Sequence, residues 1–514
     1  MHSRIAAAGL VAVATLGSAC GGDETPTTSP IAQVLDVDSS KVDPAVLSAI
    51  ARSDSVSVIV LAKSQLLEPV GGLERFQQSH EQTNRKDLRA DVISQLRTVA
   101  AADQADIRSV IGADRRVRQL WIYNAVAGTL SRSEVARLSR RPSVAFVFAN
   151  SGEQVVFARG DERVSLIIPD APPPPFDPAS ARFAWHLRWL GVDRAWSEFA
   201  VYGAGVVIAS IDDGVNYAHA DLRTHIWRNS AETPNNARDD DGNGYVDDVY
   251  GYDFDRMTPD VRSTSLAAQH GTWTAGLMAA DGSSGIMSGV APRARLMVLR
   301  GGGPVAIAEA MQYAIAMGAD VVNMSFTYRH EGRRRALWRM MSDHAVAAGA
   351  LLAGGAGNFQ MTDAVPNQIA SPKDAPSVLV AGGVDTTLQL QPFSSTGPVE
   401  WSSVPFYGDY PLPTGLIKPD VVAFPGPGLT LLSLVDAGYL GSDAVAGNSF
   451  SGPQVAGIGA LVMSVAPTIP GWRARAFIES TARDIPPAGK DTRTGQGLVN
   501  AWAAVSAARS LQRP

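Results

Sequence analysis

A chain of 514 residues, 45% of them hydrophobic and 18% charged, is long enough for two or three domains and a large core. A formal net charge of −6 with no long basic run excludes nucleic acid as a partner. A single cysteine, Cys20, excludes structural disulfides, so stability must come from the core and from any bound metal.

Met1-His2-Ser3-Arg4 and the apolar run 5–16 read as the basic and hydrophobic regions of an export signal, too short to span a membrane. Leu16-Gly17-Ser18-Ala19-Cys20 resembles a bacterial lipoprotein signal, with residues 1–19 removed and Cys20 left as a lipidated N-terminus. The leucine stands one position further from the cysteine than usual, and the alternative is an ordinary signal with an incidental cysteine. Residues 20–45 are rich in Gly, Thr, Ser and Pro and read as an unfolded tether.

Residues 46–150 carry a strand at 56–61, then a polar helix at 81–111 with Leu88, Val92, Leu96 and Val99 on one face. A strand at 119–123 and a bridging segment at 124–130 follow. Ser131 and Glu134 form a capping box that opens a helix carrying Val135 and Leu138, and a strand at 144–148 closes the unit. Alternation of this kind predicts a small α+β domain of the ferredoxin-like type. Residues 151–181 are irregular, with Pro172-Pro173-Pro174-Pro175 favouring an extended linker. From 182 to the end, apolar runs at 206–211, 296–299, 320–325, 350–353 and 378–380 alternate with helical patterns at 270–280, 305–317, 333–348 and 453–466. This predicts an α/β domain, a parallel sheet flanked by helices.

Three residues in this domain supply complementary chemistry. Asp212 ends the buried run 206–211, where ligands and chemistry collect in open α/β sheets. His270 leads a helix rich in small residues. Ser449, in Gly447-Asn448-Ser449-Phe450-Ser451-Gly452-Pro453, lies near the start of the helix marked by Val455, Ile458, Leu461, Val462 and Val465. Free N–H groups and the positive end of the helix dipole favour a developing anion there. Alone, such a serine reads as an N-cap; with a histidine and an aspartate elsewhere it reads as a nucleophile with its base and orienting acid.

The chain order Asp212, His270, Ser449, together with Asp212-Asp213-Gly214, His270-Gly271-Thr272 and Gly447-Asn448-Ser449, resembles the subtilisin-like serine peptidases, the subtilases, over about residues 183–508. The resemblance implies an exported endopeptidase acting on polypeptides through an acyl-enzyme. It also implies that residues 46–150 are an inhibitory propeptide, an intramolecular inhibitor cut away within 151–181; an unrelated accessory domain is the alternative. Asn358, ending Gly354-Gly355-Ala356-Gly357-Asn358, matches the family's oxyanion asparagine, and Ser325-Phe326-Thr327 matches its substrate-binding wall. Cys20 lies on the propeptide side of the expected cut, so the lipid would hold the protein on a membrane only before processing.

Asp239, Asp241, Asn243 and Asp247, with Gly244 at a turn, follow the first positions of a calcium-binding loop, whose twelfth position is the non-chelating Tyr250. Similar insertions occur in many subtilases, so calcium is expected as a structural cofactor, against a solvated acidic turn. Asp213 adds a second carboxylate beside the catalytic one, and Asn448 stands where a threonine is usual but retains an amide able to donate to an oxyanion. Ser325-Phe326-Thr327-Tyr328 replaces a glycine-rich stretch, so Thr327 and Tyr328 are expected to narrow the wall along which a substrate strand pairs. Two further readings stay open: a catalytically silent peptide-binding lipoprotein and a narrow processing peptidase.

Overall fold

The computed structural model describes residues 36–112, 115–150, 165–167, 182–263, 269–441 and 445–511. Cys20, the segment 1–19, most of the tether and most of 151–181 lie outside the described residues. Among those described, no helix is long and apolar enough to cross a membrane.

The first unit begins with helix α1 (Pro44–Ile50), strand β1 (Ser55–Ala62), helix α2 (Gly72–Ser79) and the long helix α3 (Arg85–Ile111). Strand β2 (Arg118–Leu120), strand β3 (Ala125–Ser131), helix α4 (Arg132–Ser139) and strand β4 (Val144–Ala149) complete it. The sheet order is β2-β3-β1-β4 with antiparallel neighbours. Residues 124–130, expected to bridge, are instead mostly β3. Their small side chains give little strand signal, and pairing with β1 and β2 on either side decides their conformation. Ser131 Oγ accepts from Glu134 N while Glu134 Oε2 accepts from Ser131 N, the capping box read from the sequence.

Beyond β5 (Ser165–Ile167) the second unit runs β6 (Arg182–Phe183), α5 (Trp185–Trp189), α6 (Val192–Phe199), β7 (Val207–Asp212), β8 (Gly251–Asp253) and α7 (His270–Ala279). It continues through β9 (Ile286–Met287), β10 (Arg295–Arg300), α8 (Pro304–Ala316), β11 (Val321–Met324), α9 (Arg335–Ala347), β12 (Leu351–Gly355) and β13 (Leu379–Gly383). The last elements are β14 (Val421–Ala423), β15 (Leu431–Leu432), β16 (Tyr439–Gly441), α10 (Ser451–Val465), α11 (Gly471–Ser480) and α12 (Ala501–Ser510).

Seven strands form one parallel sheet in the order β14-β13-β12-β11-β7-β10-β8. Buried on both faces, its strands carry apolar rather than alternating residues, and α10 is buried from Ser451 to Met463 all the way round. β7 lies between β10 and β11, which the chain visits in opposite directions across the sheet, so a crevice opens at its C-terminal end. β8 and β14, three residues each, carry too short a pattern to be read from the sequence.

Candidate active site

Asp212 is the last residue of β7 and is 1% exposed. His270 opens α7 beside it and donates from Nδ1 to Asp212 Oδ1 at 2.7 Å. Thr274, one turn further along the same helix face, donates its hydroxyl to Asp212 Oδ2 at 3.1 Å. Both carboxylate oxygens are thereby held, and Nδ1 of His270 is committed to Asp212. Burial acts to lower the pKa of His270, but the charge and hydrogen bond of Asp212, joined by the charge of Asp213, outweigh it and leave the imidazole above its ordinary value. Thr274 was not legible as a site residue, because on a helix of small residues it reads as packing.

Asp213 accepts from Gly271 N at 2.7 Å, capping the start of α7 where a carboxylate meets the positive helix end. Its burial and the adjacent Asp212 charge push its pKa up to about 7, against the pull of His270 and the helix N–H groups.

Ser449 precedes α10 by two residues. Its Oγ donates to Ser325 O at 3.2 Å, and Ser325 Oγ donates back to Ser449 O at 3.0 Å. The Ser449 hydroxyl is thus directed to Ser325 in this structure. The end of β12 lies directly under this loop: a side chain at Gly355 would come within 1.9 Å of Asn448 O. Asn358 Oδ1 accepts from Asn448 N at 2.8 Å, which fixes the amide and leaves Nδ2 as its donor. Asn448 departs from expectation. Its Nδ2 donates to Gly357 O at 2.7 Å and to Ser394 Oγ at 3.0 Å, so its amide is spent in the interior and not on an oxyanion.

The wall also differs from its reading. Tyr328 does not narrow it: the ring is buried, stacks on Trp338 at 4.7 Å and donates its hydroxyl to Gly302 O at 2.6 Å. Phe326 is buried as well. Ser325 faces Ser449, and Thr327 Oγ1 takes a short hydrogen bond from Lys373 Nζ. Lys373, in a Pro-Lys-Asp loop, carries no sequence signal that separates it from a surface lysine.

In the acidic loop, Glu232, Asp239 and Asp241 bring carboxylate oxygens within 4.8 Å of one another. Asp239 accepts from Asn243 N and Gly244 N, and Asn243 Nδ2 bonds Asp241 Oδ2 at 3.1 Å. Asp247 is turned away; its carboxylate accepts from Asn236 N at 3.1 Å and Ala237 N at 3.0 Å. Glu232, seven residues before the loop motif, takes its place and has a buried Oε2 without a hydrogen-bond partner. Burial, with the charges of Asp248 and Asp241, raises its pKa against the backbone N–H groups of Asp240 and Asp241.

A family model described as the subtilase family, peptidase S8, matches residues 203–497. The chain is 26% identical to bacillopeptidase F of Bacillus subtilis over 458 residues, which are 82% of this chain and 29% of that protein. It is 27% identical to subtilisin E of Bacillus subtilis over 415 residues, 79% of this chain and 88% of that one. A halolysin-like extracellular serine protease of Natrialba magadii is 28% identical over 324 residues, 62% of this chain and 50% of its own length.

Proposed function

The chain belongs to the subtilase family of serine-type endopeptidases, and from that premise we propose that it is an exported, self-processing zymogen whose peptidase chemistry runs on Asp212, His270 and Ser449. The observation that carries the reading is the buried His270–Asp212 hydrogen bond of 2.7 Å at the end of a central parallel strand, beside the Ser449 loop.

The chemistry follows from the atoms. Ser449 Oγ attacks the carbonyl carbon of the scissile bond while its proton passes to His270 Nε2. Asp212 holds Nδ1–H, fixing the tautomer and stabilising the imidazolium as it forms. The negative charge that develops on the carbonyl oxygen is met by Asn358 Nδ2 and the Ser449 N–H. Collapse breaks the C–N bond, and Nε2 returns the proton to the departing amine. Water then repeats the sequence on the ester, with the same imidazole as base and Ser449 as leaving group. The backbone at Ser325, Phe326 and Thr327 provides the wall along which the substrate strand lies, with the Phe326 side chain buried beneath it.

Residues 46–150 act as the propeptide in this reading. An alignment covering 79% of the chain has to reach residues well before 203, which supports an N-terminal segment shared with subtilisin E. β5, the described part of the connecting segment, pairs antiparallel with β16 of the catalytic unit, so residues 165–167 lie along the enzyme they precede. Cutting within 151–181 separates the catalytic unit from a lipid on Cys20 and releases it from the membrane.

Calcium fits the acidic loop because Glu232 contributes a buried carboxylate oxygen lacking a partner, next to Asp239 and Asp241. Those three residues and Asn243 would hold it, and a cation there would offset the mutual repulsion of the carboxylates. The whole reading is tested by a fluorophosphonate probe and casein: labelling confined to Ser449 together with casein cleavage is the expected result, and absence of both from the processed protein refutes it.

A further inference from the structure

Two lysines are almost fully buried, and they are treated differently. Lys418 pairs with Asp420 at 2.6 Å, inside a network with Arg475 and Lys490. Lys373, 1% exposed, has no carboxylate within ion-pair distance among the described residues. Its Nζ donates to Phe326 O and Thr327 Oγ1, while the neighbouring Asp374 is turned to Arg335 at 2.6 Å. An ammonium has three donors, so one stays uncommitted, and the charge meets only the face of the Phe326 ring, 5.8 Å from its centroid, and the more distant field of Asp374. Burying such a cation without a counter-charge is expensive, and burial pulls its pKa down to about 7 despite the help of Asp374. A structural lysine is normally paired as Lys418 is; an unpaired one points to a missing anion.

The position of Lys373 says where that anion would come from. Its stem lies against Gly354, where a side chain would approach Cγ to 3.1 Å, and the next residue, Gly355, lies against the Asn448–Ser449 backbone. Its two acceptors follow Ser325, the residue that exchanges hydrogen bonds with Ser449. Its charge is felt at His270, where it acts to lower the pKa. Lys373 therefore lies across the ends of β11 and β12 on the Gly354 face, with the Asn448–Ser449 backbone on the other face at Gly355. A substrate carbonyl held between Ser449 and Asn358 has His270 on its other side. The side chain of the residue that owns that carbonyl would then approach the strand ends at 325–327 and 354–355, where Lys373 lies.

Resting on the peptidase reading above, we propose that Lys373 makes this enzyme selective for an acidic residue, glutamate or aspartate, on the acyl side of the cleaved bond. The substrate carboxylate completes a buried ion pair that the free enzyme lacks. An apolar side chain there would bury itself against an unpaired ammonium, and a basic one would meet a like charge.

The test uses the processed protein and internally quenched peptides identical except for Glu, Gln, Leu or Lys at the acyl-side position. Glu is expected to exceed its isostere Gln by about 10²-fold in kcat/KM, the scale of a desolvated charge pair. Lys373→Met and Lys373→Gln should each collapse that ratio at least about tenfold, whereas a merely structural lysine would lower all the peptides together. The wild-type ratio decides the matter even where a variant fails to fold. Preference for Leu over Glu, or a Glu-to-Gln ratio near one, overturns the inference while Ser449 labelling and cleavage elsewhere leave the peptidase reading intact; no cleavage and no labelling overturns both.

Discussion

β1 and β7 are both strands with two covered faces, and the covering differs. In β7 the residues Ile208, Ala209 and Ile211 are sealed by helices of their own unit. In β1, Val58 and Val60 face their own helices through Val46, Ile107 and Leu138, but Ile59 faces outward from its unit and lines a small recess with Ala308, Leu337, Trp338 and Met341 of α8 and α9. That second face is closed by a seam with charge in it. Arg85 Nε and Arg89 Nη2 reach Asp320 at 3.0 and 2.8 Å, Arg118 pairs with Glu309, and Arg473 pairs with Glu81 at 2.6 Å. His344 Nδ1 donates to Ile122 O at 2.5 Å and Ile122 N donates to Gln312 at 3.0 Å. A parallel sheet cannot be opened without exposing apolar surface on both sides. A seam of paired charges can part, because each group regains water. The seam also holds apolar contacts, with Leu61, Leu88 and Phe148 in one buried cluster with Met311 and Leu337, and under the proposed zymogen reading it is where the cut N-terminal unit would separate.

The comparison breaks first at the chemistry. Asn358→Ala is expected to lower kcat by roughly 10²–10³, the range found for the corresponding loss in a subtilisin, with little change in melting temperature. An equal loss of stability would mean that Asn358 serves the fold and not the oxyanion. Next comes the seam. Replacing Arg85 and Arg89 together by Ala leaves Asp320 without its two cations and should weaken retention of the cut N-terminal unit by about 10²-fold, read by gel filtration of the processed protein. Unchanged retention would place the binding energy in the apolar face alone.

Chelation is expected to cost less. At a calcium concentration about a hundredfold above its dissociation constant, loss of the ion removes about 2.7 kcal/mol, a shift of a few degrees by calorimetry, and Glu232→Gln should abolish the sensitivity to chelator. The smallest effect lies at Asp213. A general base works deprotonated, so activity appears as pH rises through the pKa of His270, which Asp213 helps to raise. Asp213→Thr removes that contribution, and the acid limb of kcat/KM should move to lower pH by roughly half a unit to one unit. A limb that stays in place would show that Asp213 is neutral in the working enzyme.

Asp212, His270 and Ser449 were legible because each sits in a short local pattern next to a buried strand or a helix start. Long apolar runs such as 206–211 and 350–353 were legible for the same reason. What escaped was decided by distant partners. The strand at Ala125–Ser131 depends on its neighbours on both sides, Thr274 matters through Asp212, and Glu232 joins Asp239 and Asp241 only through the path of the loop. Asp247 fits the spacing of a metal loop, yet its backbone takes a φ of 56° and its carboxylate caps residues 236–237. Lys373 is the sharpest case, since nothing in Ser371-Pro372-Lys373-Asp374 foretells full burial against Phe326 and Gly354.

In the proposed reading the catalytic unit cuts its own linker, within residues 151–181. Intact mass and gel migration of the exported wild type beside Ser449→Ala test it directly. A wild type cut within 151–181 and an uncut variant are the expected result. A wild type that stays full length, or a variant cut at the same place, would contradict it.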